Sequence, residues 1–136
     1  MKNEITVQTV VKAPIAKVWE CWNKPEHITG WAFASDDWEA PAAENDLRIG
    51  GKFKTTMAAK DKSSSFDFTG TYTAVRENEL IEYYLDDGRQ VRVEFIELPE
   101  GVRITESFEP ENQYPQDLQR SGWQAILDNF KKYVES

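Results

Sequence analysis

The sequence predicts an α+β domain in which a curved antiparallel β-sheet is covered by one long C-terminal helix. Three observations carry that expectation. Residues 115–135 have helical periodicity: Leu118, Trp123, Ile126, Leu127, Phe130 and Val134 recur at three- and four-residue steps among Gln, Asp, Asn and Lys. Residues 47–108 alternate apolar and polar side chains in short runs separated by turn signals, the pattern of half-buried strands. Ahead of them, a first strand is followed by two short helical patterns, so the last helix alone is long enough to cover a sheet.

Taken in order, residues 4–11 are rich in Ile, Thr and Val, and place Ile5, Val7, Thr9 and Val11 on one face of a strand. Ala13-Pro14 stops it. Pro14 suits a helix start, and Ile15, Val18, Trp19 and Trp22 then share a helical face. Pro25 ends that helix, and Pro25-Glu26-His27-Ile28 opens a second short turn closed by Gly30. Residues 36–46 are acidic with Pro and Ala, which predicts an irregular segment around one edge strand near Trp38 and a solvated lid over whatever lies beneath. Next, Ile49, Gly51, Phe53, Thr55 and Met57 share one parity, and Phe66, Phe68, Gly70 and Tyr72 share another. Residues 80–85 make a further strand. Asp86-Asp87-Gly88-Arg89 is a hairpin signal, because Asp-Gly accepts the positive φ of a tight turn. Val91, Val93 and Phe95 form one inward row; Val102, Ile104, Glu106 and Phe108 form the last. The final helix has Pro115 at its first turn, Asp117 near its positive end, and Lys131 and Lys132 near its negative end. At about 1.5 Å per residue it spans roughly 30 Å. Gly122 inside it costs about 1 kcal/mol relative to Ala, which predicts a close approach of neighbouring backbone.

Residues 1–136 read as one domain, with no repeat, linker or low-complexity segment. The formal net charge of −8 argues against a nucleic-acid partner or an anionic membrane, both of which need a basic footprint. The single cysteine, Cys21, forms no internal disulfide and lies in an apolar helical stretch, the setting of a buried, inert thiol in a reducing compartment. Residues 1–11 lack a basic segment followed by an apolar run, and no apolar stretch reaches membrane-spanning length. A cytoplasmic protein is expected.

Three stretches together resemble a known family. They are Ala13-Pro14-x-x-x-Val18-Trp19 with Pro25-Glu26-His27-Ile28 and Trp31; Asp46-Leu47-Arg48-Ile49-Gly50-Gly51-Lys52-Phe53; and Gly122-Trp123-x-x-Ile126-Leu127-Asp128-Asn129-Phe130. In this order they are similar to the activator of heat-shock-protein-90 ATPase homologue-like family, within the START and birch-pollen-allergen (SRPBCC) superfamily. The resemblance covers nearly the whole chain. It implies a helix-grip fold, a curved sheet wrapped around the C-terminal helix with a cavity between them. It also implies small apolar ligands for some members, catalysis for others, and a chaperone partner for the eponymous member, which resembles this chain through one domain only.

The residues themselves point to the same space. Trp19 and Trp22 from the first helix; Phe53, Met57, Phe66, Phe68, Tyr72, Val93, Phe95 and Ile104 from the strands; and Trp123, Leu127 and Phe130 from the long helix all face inward by periodicity. They either wall a pocket for a flat or lipid-like ligand or meet and fill the space. Glu106 shares its parity with Val102, Ile104 and Phe108. A buried carboxylate costs several kcal/mol unless paired, so it marks either a ligand anchor, a general acid or base, or a bulge that turns it to water. Tyr83 and Tyr84 occupy both faces of their strand, so one hydroxyl points inward, and Tyr83 is taken as the ligand-side member.

His27 is the single histidine and reads first as a capping or surface residue, with an acid–base group near neutral pH as the alternative; with no second His or Cys beside it, a His/Cys metal cluster is not expected. Gly50-Gly51 has no following helix and no Lys-Ser/Thr, so it reads as a bend in a curled sheet rather than a phosphate loop, with Arg48 pairing a local acid. No cofactor and no metal are expected. The function expected is binding of a small hydrophobic or aromatic molecule, oriented by Glu106 and an inward Tyr. The alternatives are a co-chaperone-like interaction module and, last because only one good inward acid is present, a cyclase- or hydrolase-type enzyme. Homodimerisation stays open.

Overall fold

The computed structural model describes residues 3–136. Residues 1 and 2, which open the stretch read above for a leader, lie outside the described residues. The elements follow the predicted order: β1 (Ile5–Val11), α1 (Ile15–Asn23), α2 (Pro25–Ile28), β2 (Trp38–Asn45), β3 (Lys52–Ala59), β4 (Ser65–Arg76), β5 (Leu80–Leu85), β6 (Gln90–Leu98), β7 (Gly101–Phe108) and α3 (Gln116–Glu135). The strands form one seven-stranded sheet in the order β1-β7-β6-β5-β4-β3-β2, every pair antiparallel. Together with α3 they make the curled α+β helix-grip fold, with α1 and α2 connecting the two edge strands.

The helix α3 is fastened to one edge of the sheet. In an antiparallel edge strand every second residue turns its backbone groups outward. The outward carbonyls of β1 accept hydrogen bonds from α3 side chains: Arg120 Nη1 to Thr6 O (3.1 Å), Gln124 Nε2 to Gln8 O (3.1 Å) and Lys131 Nζ to Val10 O (2.7 Å). Glu135 Oε2 accepts from the Lys12 amide at 2.8 Å. These residues share one flank of the helix, beside the apolar stripe. The stripe itself buries Leu127, Phe130 and Val134 almost completely, in one core cluster with Val18, Val93, Val102 and Ile104. Trp22 and Trp31 pack on Phe130 with ring centroids 4.9 and 4.8 Å away. The Trp31 indole donates to Cys21 O at 2.9 Å.

The other edge, β2, is blunted differently. Its register to β3 shifts between Glu39 and Ala42, on either side of Pro41, which lacks an amide to offer a neighbour. The edge strand expected near Trp38 is therefore present and runs a full eight residues, so most of the acidic segment belongs to the sheet instead of forming an irregular lid.

Several local expectations need correction. Leu118 lies on the periodic face yet is 58% exposed. Its inward place is taken by Gln119, whose amide nitrogen donates to Glu111 O (3.1 Å) and Tyr114 O (2.8 Å) while its oxygen accepts from the Glu111 amide (2.9 Å). The loop before α3 folds over the helix start, and only a side chain with both donors and an acceptor can tie it there. Ile49 is 70% exposed, because β3 starts at Lys52 and the preceding residues form a turn with Gly50 at φ +83°. Arg48 does pair a local acid there, Asp46, at 2.9 Å. A Cβ on Gly122 would meet nothing within 4 Å, so no backbone approaches it closely. Gly70 is among the positions that do need glycine for space: a Cβ there would lie 2.7 Å from the Phe53 ring and 2.6 Å from Tyr84 O. The Asp86–Arg89 hairpin forms as expected, with Gly88 at φ +92°.

Phe130→Ala is expected to cost about 3–5 kcal/mol, because its ring is fully buried among rigid neighbours. Leu118→Ala should stay within about 0.5 kcal/mol. Urea denaturation midpoints at constant m-value measure both.

Candidate functional site

Seven strands spaced about 4.8 Å apart span roughly 30 Å, whereas a helix with its side chains is about 10–12 Å wide. With α3 tied to β1, the sheet half from β2 to β5 is not filled by the helix stripe that packs the other half. A cavity of about 310 Å³ opens there, between the N-terminal half of α3, the loop before it, the region of α2, and the concave face of β2 to β5.

Nine of the predicted ligand-side residues line it: Trp22 from α1; Phe53 and Met57 from β3; Phe66, Phe68 and Tyr72 from β4; Tyr83 from β5; Glu106 from β7; and Trp123 from α3. The rings interlock, with Phe53 4.8 Å from Tyr83 and 5.3 Å from Tyr72, and Phe68 5.9 Å from Trp123. Trp123 is held flat by stacking on Phe108 at 3.9 Å. Phe66 is at the rim, 51% exposed, with Trp38 5.9 Å away. The wall position of the other six is corrected: Trp19, Val93, Phe95, Ile104, Leu127 and Phe130 form the solid core beside the cavity. They lie under α1 and the C-terminal half of α3, where the sheet is covered; Trp19 packs edge-on against Phe95 at 5.2 Å.

Lining residues that the sequence did not single out fall into two groups. Ile28, Trp31, Thr55, Ile81 and Ile126 carried a signal, since each lies in a patterned stretch or a quoted motif. Glu44, Asn45, Arg89, Glu111 and Tyr114 belong to an edge strand or to loops, which have no period to read.

Glu106 is the unusual side chain. It is 7% exposed, and the ladder runs through it without a bulge, pairing it with Val7 on β1 and Val93 on β6. Burial alone pushes its pKa from the usual 4.5 up to about 8. It is therefore held as a neutral acid at neutral pH, able to donate as well as accept. Tyr83, 6% exposed, has its hydroxyl pushed well above 10, first by burial and then by the neighbouring Glu106 charge. Its neighbour Tyr84 faces solvent. Tyr72 is also raised by burial and donates to Asn45 Oδ1 at 2.5 Å. Arg89 reaches the wall from the hairpin with its Nε 2.8 Å from Asp87 Oδ2.

His27 is not on this wall: its Nδ1 lies 2.7 Å from the Tyr133 hydroxyl, a tie between α2 and α3. Cys21 is buried, and burial pushes its thiol pKa up. Among the described residues no group of three or more His, Cys, Asp or Glu is placed to hold a metal ion, and no helix is long and apolar enough to cross a membrane. The wall can thus donate hydrogen bonds from Glu106 and Tyr83 into an aromatic enclosure. It presents no serine or cysteine beside a histidine.

Because the folded state holds the Glu106 proton more tightly than the unfolded chain, stability is highest below about pH 4.5 as far as this group is concerned. It declines as pH rises to about 8 and levels off above that. Glu106→Gln cannot ionise and is expected to remove this slope, so its stability relative to wild type should rise between about pH 5 and pH 8. Urea melts across that range measure the difference; a constant difference would contradict the buried setting.

Residues 12–135 match the family described as Activator of Hsp90 ATPase homolog 1-like protein. The chain is 43% identical to the AHSA1-like protein of Aeromonas hydrophila, whose solution structure superposes with a TM-score of 0.92 over 97% of this chain and 92% of that one. It is 56% identical to a protein of Cytophaga hutchinsonii, with a TM-score of 0.84 over 98% and 92% of the two chains. A crystal structure from Chromobacterium violaceum, 24% identical, shares the fold with a TM-score of 0.87 over 100% and 99%. No curated protein matches the chain. With the family pattern running through all but its first residues and its last one, the chain belongs to the Activator of Hsp90 ATPase homolog 1-like family.

Proposed function

We propose that this protein binds a small, largely apolar molecule in the cavity between α3 and strands β2 to β5. One observation carries the reading. The side of the sheet under α1 and the end of α3 is packed solid, yet beside it about 310 Å³ stays open among Phe53, Phe68, Trp22, Trp31 and Trp123. Native cores close such space unless something occupies it, and this volume is at the lower end of the roughly 300–1,000 Å³ typical of ligand pockets. Affinity would come from apolar burial at about 25 cal/mol per Å², less the entropic cost of association. The reducing interior of a cell suits the buried, unpaired thiol of Cys21.

A protein-interaction role of the co-chaperone kind is the second reading. It is favoured by the exposure of Phe66, Tyr114 and Leu118, at 51%, 55% and 58%. An enzymatic role ranks below both, because Glu106 is the one buried acid on the described wall and no serine or cysteine stands beside a histidine there.

A thermal-shift screen of fatty acids, their esters and flat aromatics is expected to yield ligands that raise the melting temperature by mass action. Met57→Trp, which fills the cavity from β3, should abolish the shift while leaving the unliganded melting temperature within a few degrees. Binding that survives this filling would move the ligand elsewhere. Absence of any hit would favour the exposed aromatic surface and a protein partner.

A further inference from the structure

The polar groups of the cavity differ in whether they are already occupied. Arg89 is held by Asp87 at 2.8 Å. Glu111 Oε1 accepts from the Tyr114 amide at 2.7 Å, and Glu44 has Lys54 at 3.9 Å. The Tyr72 hydroxyl donates to Asn45. Glu106 is different: its ladder neighbours are Val7 and Val93, and no hydrogen bond contributes to its proton affinity. The Tyr83 hydroxyl likewise has no side-chain or backbone partner among the described residues. Among the described residues no fully enclosed polar side-chain atom lacks a partner, so the free oxygens of Glu106 and Tyr83 open onto the cavity.

We propose, resting on the ligand-binding reading above, that the cavity takes molecules whose buried end is an uncharged hydrogen-bond acceptor, a carbonyl oxygen above all. The Glu106 carboxyl and the Tyr83 hydroxyl hold that oxygen, and ionised carboxylates are rejected.

The chemistry follows from counting donors and charges. A protonated carboxyl and a phenol each offer one O–H, and a carbonyl oxygen has two lone pairs to receive them. Both donors are desolvated, so leaving either unmatched is costly, and a ligand that satisfies both is selected over one that does not. An anion faces the opposite balance. The described wall offers it Glu44, Glu106 and Glu111 against Arg89, and Asp87 already holds Arg89. A carboxylate would lose its hydration in a wall where three acids face one cation, and that cation already shares its charge with Asp87. Ionisation of Glu106 itself removes one donor and adds a negative charge at the acceptor's seat. Preference for the neutral ligand therefore depends on the protonated acid. The groups sharing this space with Glu106 are Tyr83 on β5, Tyr72 on β4, Arg89 on the hairpin, Glu44 on β2, and Glu111 and Tyr114 before α3; α3 contributes Gln119, Trp123 and Ile126.

Matched pairs of one carbon skeleton test this: methyl laurate with laurate, and methyl 2-naphthoate with 2-naphthoate, titrated against the fluorescence of the wall tryptophans. At about pH 7 each ester is expected to bind at least about tenfold more tightly than its acid. Ester affinity should fall as pH rises beyond about 8, approaching tenfold per unit for loss of a single proton. Glu106→Gln, which keeps an N–H donor and cannot ionise, should retain ester binding and lose this fall. Glu106→Leu and Tyr83→Phe should each weaken the ester roughly tenfold and bring ester and acid together. Acids binding as tightly as esters to the wild type would overturn this proposal and leave ligand binding standing. An ester preference untouched by both Glu106→Leu and Tyr83→Phe would overturn the assignment to these two groups. Neither member of either pair binding, by fluorescence or by thermal shift, would overturn the proposal and the ligand-binding reading together.

Discussion

One helix has to serve a sheet that is far wider than it is, and where the helix is fastened decides everything else. The side chains of Arg120, Gln124 and Lys131 reach the outward carbonyls of β1, so α3 lies toward that edge of the sheet. The consequences run outward from this anchorage. Leu127, Phe130 and Val134 bury completely, the Trp22, Trp31 and Phe130 rings lock α1 and its following segment against them, and the far half of the sheet keeps an open concave face. The core and the cavity are thus two results of a single offset.

Within that frame Glu106 contradicts its surroundings. The ladder row Val7, Glu106, Val93, Ile81 reads as plain core apart from one acid. Local chemistry that disagrees with the global pattern is tolerated at a stability cost, and such disagreements concentrate at sites of function. The aromatic enclosure makes the disagreement sharper. Phe53 lies over Gly70 and against Tyr83, so the phenol and the acid are kept from bulk water by the same rings that would grip a ligand.

Much of this was readable from the residues alone. The period of α3, the parity that turned Glu106 and Tyr83 inward, the Asp-Gly hairpin and the sequence of elements all follow from local rules that the fold respects. What escaped has a common physical cause. Periodicity says which face a residue is on, but not whether another element covers that face. Phe95 and Phe68 therefore looked alike, although one is sealed under α1 and the other walls a cavity. Leu118 and Gln119 exchanged roles because a loop folded back on the helix start, and that contact has no signature in the helix itself. Arg89 and Tyr114 reach the site from turns whose side-chain directions are set by tertiary packing.

The attachment of α3 to β1 also has a bearing on time. The hydrogen bonds that fasten α3 along β1 and the residue after it join residues 114 to 123 positions apart, from Thr6 with Arg120 to Lys12 with Glu135. Loop-closure entropy on that scale must be met before these contacts return anything, and topologies of this kind fold slowly. Until α3 docks, β1 carries a row of unmatched carbonyls and the concave aromatic face is open to water. A chain whose α3 has not docked thus exposes both an unmatched strand edge and an aromatic concave face, the two features that favour aggregation.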